Sequence, residues 1–114
     1  MSSRVAALVD QVASHVESIR THLPQLENLA EQKSNALAQE SLEILGVCLE
    51  SIEAANVDQR LAALPAPTVT QIVNQCKATA DVVANTVGNF DGHAGNFTNQ
   101  VDALHQRLWL VSAR

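Results

Sequence analysis

The chain is poor in the residues that build folds other than helical ones. Of its 114 residues only 3% are aromatic, tyrosine is absent, and there are four glycines and three prolines. Strands are normally enriched in aromatic residues, and sandwiches and barrels need many Gly- and Pro-rich turns. The apolar residues that remain are mainly Val, Leu, Ile and Ala, which suit the packing of helix on helix. This composition favours an all-α fold.

Basic residues are also scarce, with seven Lys and Arg against twelve Asp and Glu and a formal net charge of −5. Proteins that bind nucleic acid need clustered Lys and Arg to displace counterions, so no nucleic-acid partner is expected for this acidic chain. Helical spacing places four carboxylates on one face. That face is expected to be solvated, and a docking strip for a basic partner is the alternative. Its residues are Glu40, Glu43, Glu50 and Glu53.

The sequence has no uninterrupted apolar run of membrane-spanning length and no signal-peptide pattern at its N-terminus. We therefore expect neither a membrane span nor secretion, and predict a cytoplasmic protein.

Cys48 and Cys76 both fall on apolar stripes. A hairpin turning near Ala66 would leave them about 12 Å out of register, whereas a disulfide tolerates about 7 Å between Cα atoms. Both thiols are predicted to be reduced and buried.

The chain is instead rich in helical periodicity. Thirteen apolar residues alternate by four and three positions through the C-terminal half, which is the pattern of a stripe buried against helical partners. They are Val69, Val73, Cys76, Ala80, Val83, Val87, Phe90, Ala94, Phe97, Val101, Leu104, Leu108 and Val111. A chain of this length fits one domain, residues 1–114.

Residues that disfavour helix interior divide the periodic pattern into helical segments. We prefer a break at Pro24, although Leu26 and Ala30 continue the stripe of the first segment. Leu37, Ile44 and Cys48 widen the apolar face of the second segment, as in a helix that touches two neighbours. Asn56 is expected to end that segment, and the prolines at 65 and 67 exclude helix interior there. The predicted segments are residues 3–22, 24–55, a short turn at 58–64, and a helix from 68 to about 90.

The sequence leaves the stretch from Asp91 to Asn96 open. Its residues are typical of a turn, yet the apolar stripe passes through it in phase. A turn there predicts an antiparallel up-down bundle of about four helices. An unbroken helix predicts a longer helical hairpin or coiled coil.

No arrangement of residues predicts catalysis, a metal or a cofactor, so we expect a protein that is not an enzyme. His15 and His22 are seven residues apart, too far for one metal. Asp102 and His105 share a face, but a di-iron bundle needs Glu-x-x-His motifs that the chain lacks. A helical bundle with surface histidines leaves phosphotransfer signalling as an alternative on fold analogy alone.

The end of the last segment is apolar on more than one face, at Leu108, Trp109 and Leu110. This turn either closes the core or presents Trp109 as a partner anchor, a common role of tryptophan. The sequence therefore predicts a noncatalytic interaction and assembly module, acting through its apolar stripes on itself or on another helical protein, as a homo- or hetero-oligomer. A carrier of a small apolar ligand is a further alternative.

Overall fold

The computed structural model describes the backbone of residues 3–53 and 57–112 and the side chains of residues 6–53 and 58–109. In these ranges 92% of residues are helical and there is no strand. The predicted all-α fold is therefore confirmed. The helices are α1 (Ser3–Gln32), α2 (Ala36–Ile52), α3 (Val57–Ala62), α4 (Ala66–Gly88) and α5 (Phe90–Ser112). The predicted end of the second segment, at Ala55 or Asn56, lies outside the described residues.

Four long helices form an elongated bundle of 45 × 23 × 21 Å, consistent with the predicted helical bundle. The principal contacts join α1 to α4, α4 to α5 and α5 to α2, and a smaller contact of α1 with α2 closes the ring. Helices α4 and α5 run antiparallel, because Gln75 lies beside Gln100 and Gln71 lies beside Arg107. The short α3 contacts α1 and α5 between the end of α2 and the start of α4.

Helices α2 and α5 are parallel neighbours. Just before α2, the Lys33 Nζ lies 3.2 Å from Asp91 Oδ2 of α5. Further toward the C-terminus of both helices, the Ser41 hydroxyl donates to Thr98 Oγ1 over 3.1 Å. Both contacts advance along the two helices in the same direction. The α2–α5 pair therefore forms one long side of the bundle, opposite the α1–α4 pair.

The expected break at Pro24 is wrong, because α1 passes through Pro24 and ends at Gln32. Pro24 is on the exposed side of the helix, while Leu26 and Ala30 are fully buried beyond it. A proline in a helix interior costs about 3 kcal/mol. We attribute the continuity of the helix to burial of the apolar stripe beyond Pro24, which offsets this cost.

The true turn between the first two long helices is at residues 33–35. Ser34 has a positive φ of 51°. Its N–H donates to Glu31 O over 3.0 Å, and the N–H of Asn35 donates to Ala30 O over 3.0 Å, which is the hydrogen-bond pattern of a Schellman motif. The Asn35 side chain then accepts from the N–H of Ala38 and caps α2. Helix α2 consequently has 17 residues, far fewer than the predicted second segment.

Of the two alternatives at Asp91–Asn96, the helical bundle with a break between two helices is confirmed and the unbroken helix is wrong, but the break lies just before the predicted stretch. These residues are helical, and the break is the single residue Asn89, between α4 and α5. The Asn89 side chain accepts a hydrogen bond from the N–H of Gly92 over 3.2 Å and so caps α5. Turn-type composition after residue 90 is overridden because Phe90 and Phe97 are buried on the inner face of α5.

The core runs the length of the bundle, and both cysteines lie in it. Cys48 and Cys76 are free and buried, with exposed fractions of 1% and 0%. Burial raises the pKa of Cys48 to about 11. Burial, and to a smaller extent the neighbouring Cys48, raises the pKa of Cys76 to about 12. Their buried, unbridged state agrees with the prediction from the sequence.

A candidate docking face between α2 and α5

The described side chains include three large hydrophobic residues that are exposed to solvent. They are Leu37, Val47 and Trp109, with exposed fractions of 60%, 53% and 65%. Single exposed apolar side chains are normal on protein surfaces, whereas a group of them on one face marks an interaction site. Where these three lie relative to one another therefore decides their significance.

Two of the three share one side of α2 with the half-buried Ile44. Leu37 and Ile44 are seven positions apart and Ile44 and Val47 three, so all three project in similar directions. Ser41, between Leu37 and Ile44, makes the hydroxyl contact with α5. This apolar strip is therefore on the α5 side of α2. The sequence predicted that Leu37 widens a buried face, but the structure leaves it at the surface.

Trp109 lies on the corresponding side of α5. Thr98, the partner of Ser41, is followed by Asp102, His105 and Trp109 at intervals of four, three and four residues, which keeps them on one face. A hollow of about 300 Å³ is lined by His105, Gln106 and Trp109. Since the helices are parallel neighbours, the strip on α2 and Trp109 border the same surface. We call this surface the α2–α5 face, with Leu37, Ile44, Val47, His105 and Trp109 as its residues.

Carboxylates surround the α2–α5 face. Glu40, Glu43 and Glu50 are exposed and each is three or four positions from Val47 or Ile44, which makes them neighbours on the helix surface. Asp102 is exposed three residues before His105. None of these four carboxylates forms an ion pair or a hydrogen bond with a described residue. The border of the face thus carries four negative charges without a counter-charge from the described part of the chain.

The fourth glutamate of the predicted acidic face has a different environment. Glu53 is exposed but points toward α1, where its carboxylate accepts from the Arg20 guanidinium, with Nε 2.7 Å from Oε1. It is therefore an ion pair between α1 and the end of α2. Among the predicted site residues, Glu40, Glu43 and Glu50 lie next to Ile44 or Val47 on the surface of α2, and Glu53 does not. Glu43 also lines a hollow that it shares with Glu27 and Glu31 of α1.

The apolar turn at the end of α5 divides between core and surface. Leu108 is 3% exposed and closes the core, whereas Trp109 is 65% exposed. The side chain of Leu110 lies outside the described residues. The structure therefore has Trp109 presented outward, which was one of the two arrangements considered from the sequence.

Two histidines named in the sequence predictions have different environments. Ring Nδ1 of the half-buried His22 lies 2.9 Å from the carbonyl oxygen of Ser18. His105 is exposed and makes no hydrogen bond with Asp102. The described residues contain no group of three or more His, Cys, Asp or Glu that could hold a metal ion.

A second concavity lies where α2 ends beside the longer α1. It has a volume of about 480 Å³ and lies between α1, the end of α2 and α3. Its floor includes Val12, Val16 and Leu61, and charged residues stand at its rim, among them Glu17 and the Arg20–Glu53 pair. It exists because α2, at about 26 Å, is much shorter than α1, at about 45 Å.

None of the described helices is both long and apolar enough to cross a bilayer. Comparison of the chain with protein-family models, with curated proteins and with solved structures found no match. The geometry of the α2–α5 face and of the second concavity is therefore the basis for inferring function.

Proposed function

We propose that this protein is a noncatalytic interaction module in which the α2–α5 face receives a helix, either from another protein or from a second copy. The observation that carries the proposal is the grouping of Leu37, Val47 and Trp109 on one surface. A groove between two helices that exposes aliphatic residues at helical spacing is the arrangement that receives an amphipathic helix. Tryptophan is the residue most often found to dominate such contacts.

The size of the α2–α5 face fits a helical partner. Taking Ser41 and Thr98 as level, Leu37 is about 6 Å before that level and Trp109 about 16 Å after it, at 1.5 Å per residue. The apolar surface therefore spans about 22 Å, which corresponds to about four turns of helix.

The two unbridged thiols support a reducing compartment such as the cytoplasm for this assembly.

Photo-crosslinking in the cells that make the protein tests the proposal. A photoreactive phenylalanine derivative replaces Val47 in one variant and Gln25, an exposed residue of α1, in the control. We expect discrete adducts from position 47, and we expect these adducts to be absent when the photoreactive residue is at position 25. An adduct of twice the chain mass would identify self-assembly, and a larger or smaller one would identify a second protein. Equal labelling from both positions, or no adduct from either, would contradict the proposal.

Two other functions have narrower support. His105 is exposed on α5, so it would be accessible in a phosphotransfer reaction, which predicts an acid-labile phosphohistidine that His105→Ala removes. The concavity of about 480 Å³ against α1 would suit a small apolar ligand, and a carrier function predicts that Val16→Trp abolishes ligand binding. We rank both below docking at the α2–α5 face, since neither explains the exposure of Leu37 and Trp109.

A further inference from the structure

We infer that the occupant of the α2–α5 face is a basic amphipathic helix of another protein and not a second copy of this chain. This inference rests on the proposed docking function and specifies the chemistry of the partner. It combines two observations, the apolar surface between the two helices and the charge of its border. The apolar surface requires an apolar strip on the partner, and the border determines which charged residues must flank that strip.

The charge at the border argues against self-association through this face. Glu40, Glu43, Glu50 and Asp102 are all exposed there and unpaired within the described chain. Lys33, just before α2, already contacts Asp91, and Arg107 of α5 donates to Gln71 of α4. In a symmetric dimer the same patch meets itself. Two sets of four carboxylates would then border one interface, and like charges placed together across an interface are strongly unfavourable.

A partner helix with Lys or Arg beside its apolar strip would be attracted by the carboxylates at the border of the face. Leucine or similar residues at helical spacing would cover Leu37, Ile44 and Val47 and enter the hollow beside Trp109. Basic residues on both sides of that strip would approach the glutamates of α2 and Asp102 of α5. The complementary charges would raise the association rate and select a basic helix over an acidic one.

Trp109 is the only tryptophan of the chain, so its fluorescence reports on the face directly. The probe is a synthetic amphipathic peptide of about 18 residues, the length of α2, with leucines at helical spacing and lysines at the remaining positions. The comparison peptide has glutamate in place of every lysine. We expect the leucine–lysine peptide to shift Trp109 emission to shorter wavelength as it buries the indole, and the leucine–glutamate peptide to cause no shift.

The charge contribution is measured with the variant Glu40→Gln/Glu43→Gln/Glu50→Gln. Exposed ion pairs contribute modestly, so losing three of them is expected to weaken binding of the leucine–lysine peptide about tenfold and to reduce its salt dependence. The matched control, Asp10→Asn/Glu17→Gln/Asp58→Asn, changes net charge equally on exposed positions of α1 and α3. It should leave the affinity within about twofold of the natural chain, since long-range charge is screened.

Separate outcomes overturn the inference and the proposed function. If both peptides bind with equal affinity, or if the two triple variants weaken binding equally, charge does not select the partner and the inference is wrong, while docking at the face stands. If neither peptide binds but Trp109 emission shifts with concentration of the chain alone, and Leu37→Glu/Val47→Glu abolishes that shift, the occupant is a second copy. If no peptide binds and no concentration dependence is seen, both the inference and the docking function fail.

Discussion

The one-residue connection between α4 and α5 allows a test of whether the Asn89 side chain caps α5. Asn89 alone separates the two helices, and its side chain occupies the space beside Gly92. A Cβ added at Gly92 would lie 2.5 Å from the Asn89 amide nitrogen, whereas a Cβ at Gly95, three residues later, would meet nothing within 4 Å. The same substitution at these two glycines should therefore have different consequences.

The magnitudes follow from two opposing effects. Replacing a helical glycine by alanine stabilises a helix by about 0.5–1 kcal/mol. Losing an asparagine cap costs about 1 kcal/mol. Gly95→Ala should therefore raise the free energy of unfolding by about 0.5–1 kcal/mol. Gly92→Ala displaces the cap while making the same gain, so it should leave the free energy of unfolding unchanged or lower it by up to about 0.5 kcal/mol.

A double-mutant cycle isolates the contact between the two residues. In the Asn89→Ala background no cap remains to be displaced, so Gly92→Ala should stabilise by about 0.5–1 kcal/mol there. Urea unfolding followed by circular dichroism measures all four chains, and Gly95→Ala in both backgrounds is the control. Equal stabilisation by Gly92→Ala with and without Asn89 would refute the assignment of Asn89 as the cap of α5.

Three further predictions concern other parts of the bundle. Ser34→Gly should raise the free energy of unfolding by about 0.5–1 kcal/mol in urea unfolding, because glycine adopts the positive φ of this position without strain; a loss of stability would contradict the Schellman assignment. Because burial raises the pKa of Cys48 to about 11 and of Cys76 to about 12, the fold holds the thiol protons more tightly than the unfolded chain does. The resulting stability is complete below pH 9 and is lost as the pH rises through 11 and 12, and Cys48→Ala/Cys76→Ala should remove that loss from a pH series of unfolding curves. Leu108→Ala should cost about 2–5 kcal/mol, whereas Trp109→Ala, at a residue 65% exposed, should cost less than about 2 kcal/mol in thermal unfolding; equal costs would place Trp109 in the core.

Helical periodicity predicted which segments are helices but not all of their ends. The stripe through Leu26 and Ala30 correctly indicates a helix that continues past Pro24, because burial of that stripe outweighs the cost of the proline. The true ends depend on capping geometry. Ser34 adopts a left-handed conformation that serine rarely shows. Asn89 is the single residue that separates α4 from α5. Composition gives little warning of a one-residue joint, because tertiary burial on both sides decides it.

The candidate site was accessible to sequence reasoning only in part. The sequence predicts a shared face of Glu40, Glu43, Glu50 and Glu53, of which Glu53 instead pairs with Arg20. It predicts Trp109 as either a core residue or an anchor. An apolar stripe does not reveal which of its edges a neighbour covers, so the exposure of Leu37 and Val47 could not be predicted. That exposure depends on how α5 packs against α2, because the contact buries Ser41 and leaves Leu37 and Val47 outside it.

The measurement that tests the docking face most directly is methyl-group NMR of the chain during titration with the leucine–lysine peptide. Docking at the α2–α5 face predicts that methyl resonances of Leu37, Ile44 and Val47 shift in proportion to the peptide bound. The resonances of Val9 and Val16, which line the concavity beside α1, should not shift. Shifts of Val9 and Val16 with unchanged resonances on α2 would contradict it and move the binding site to that concavity.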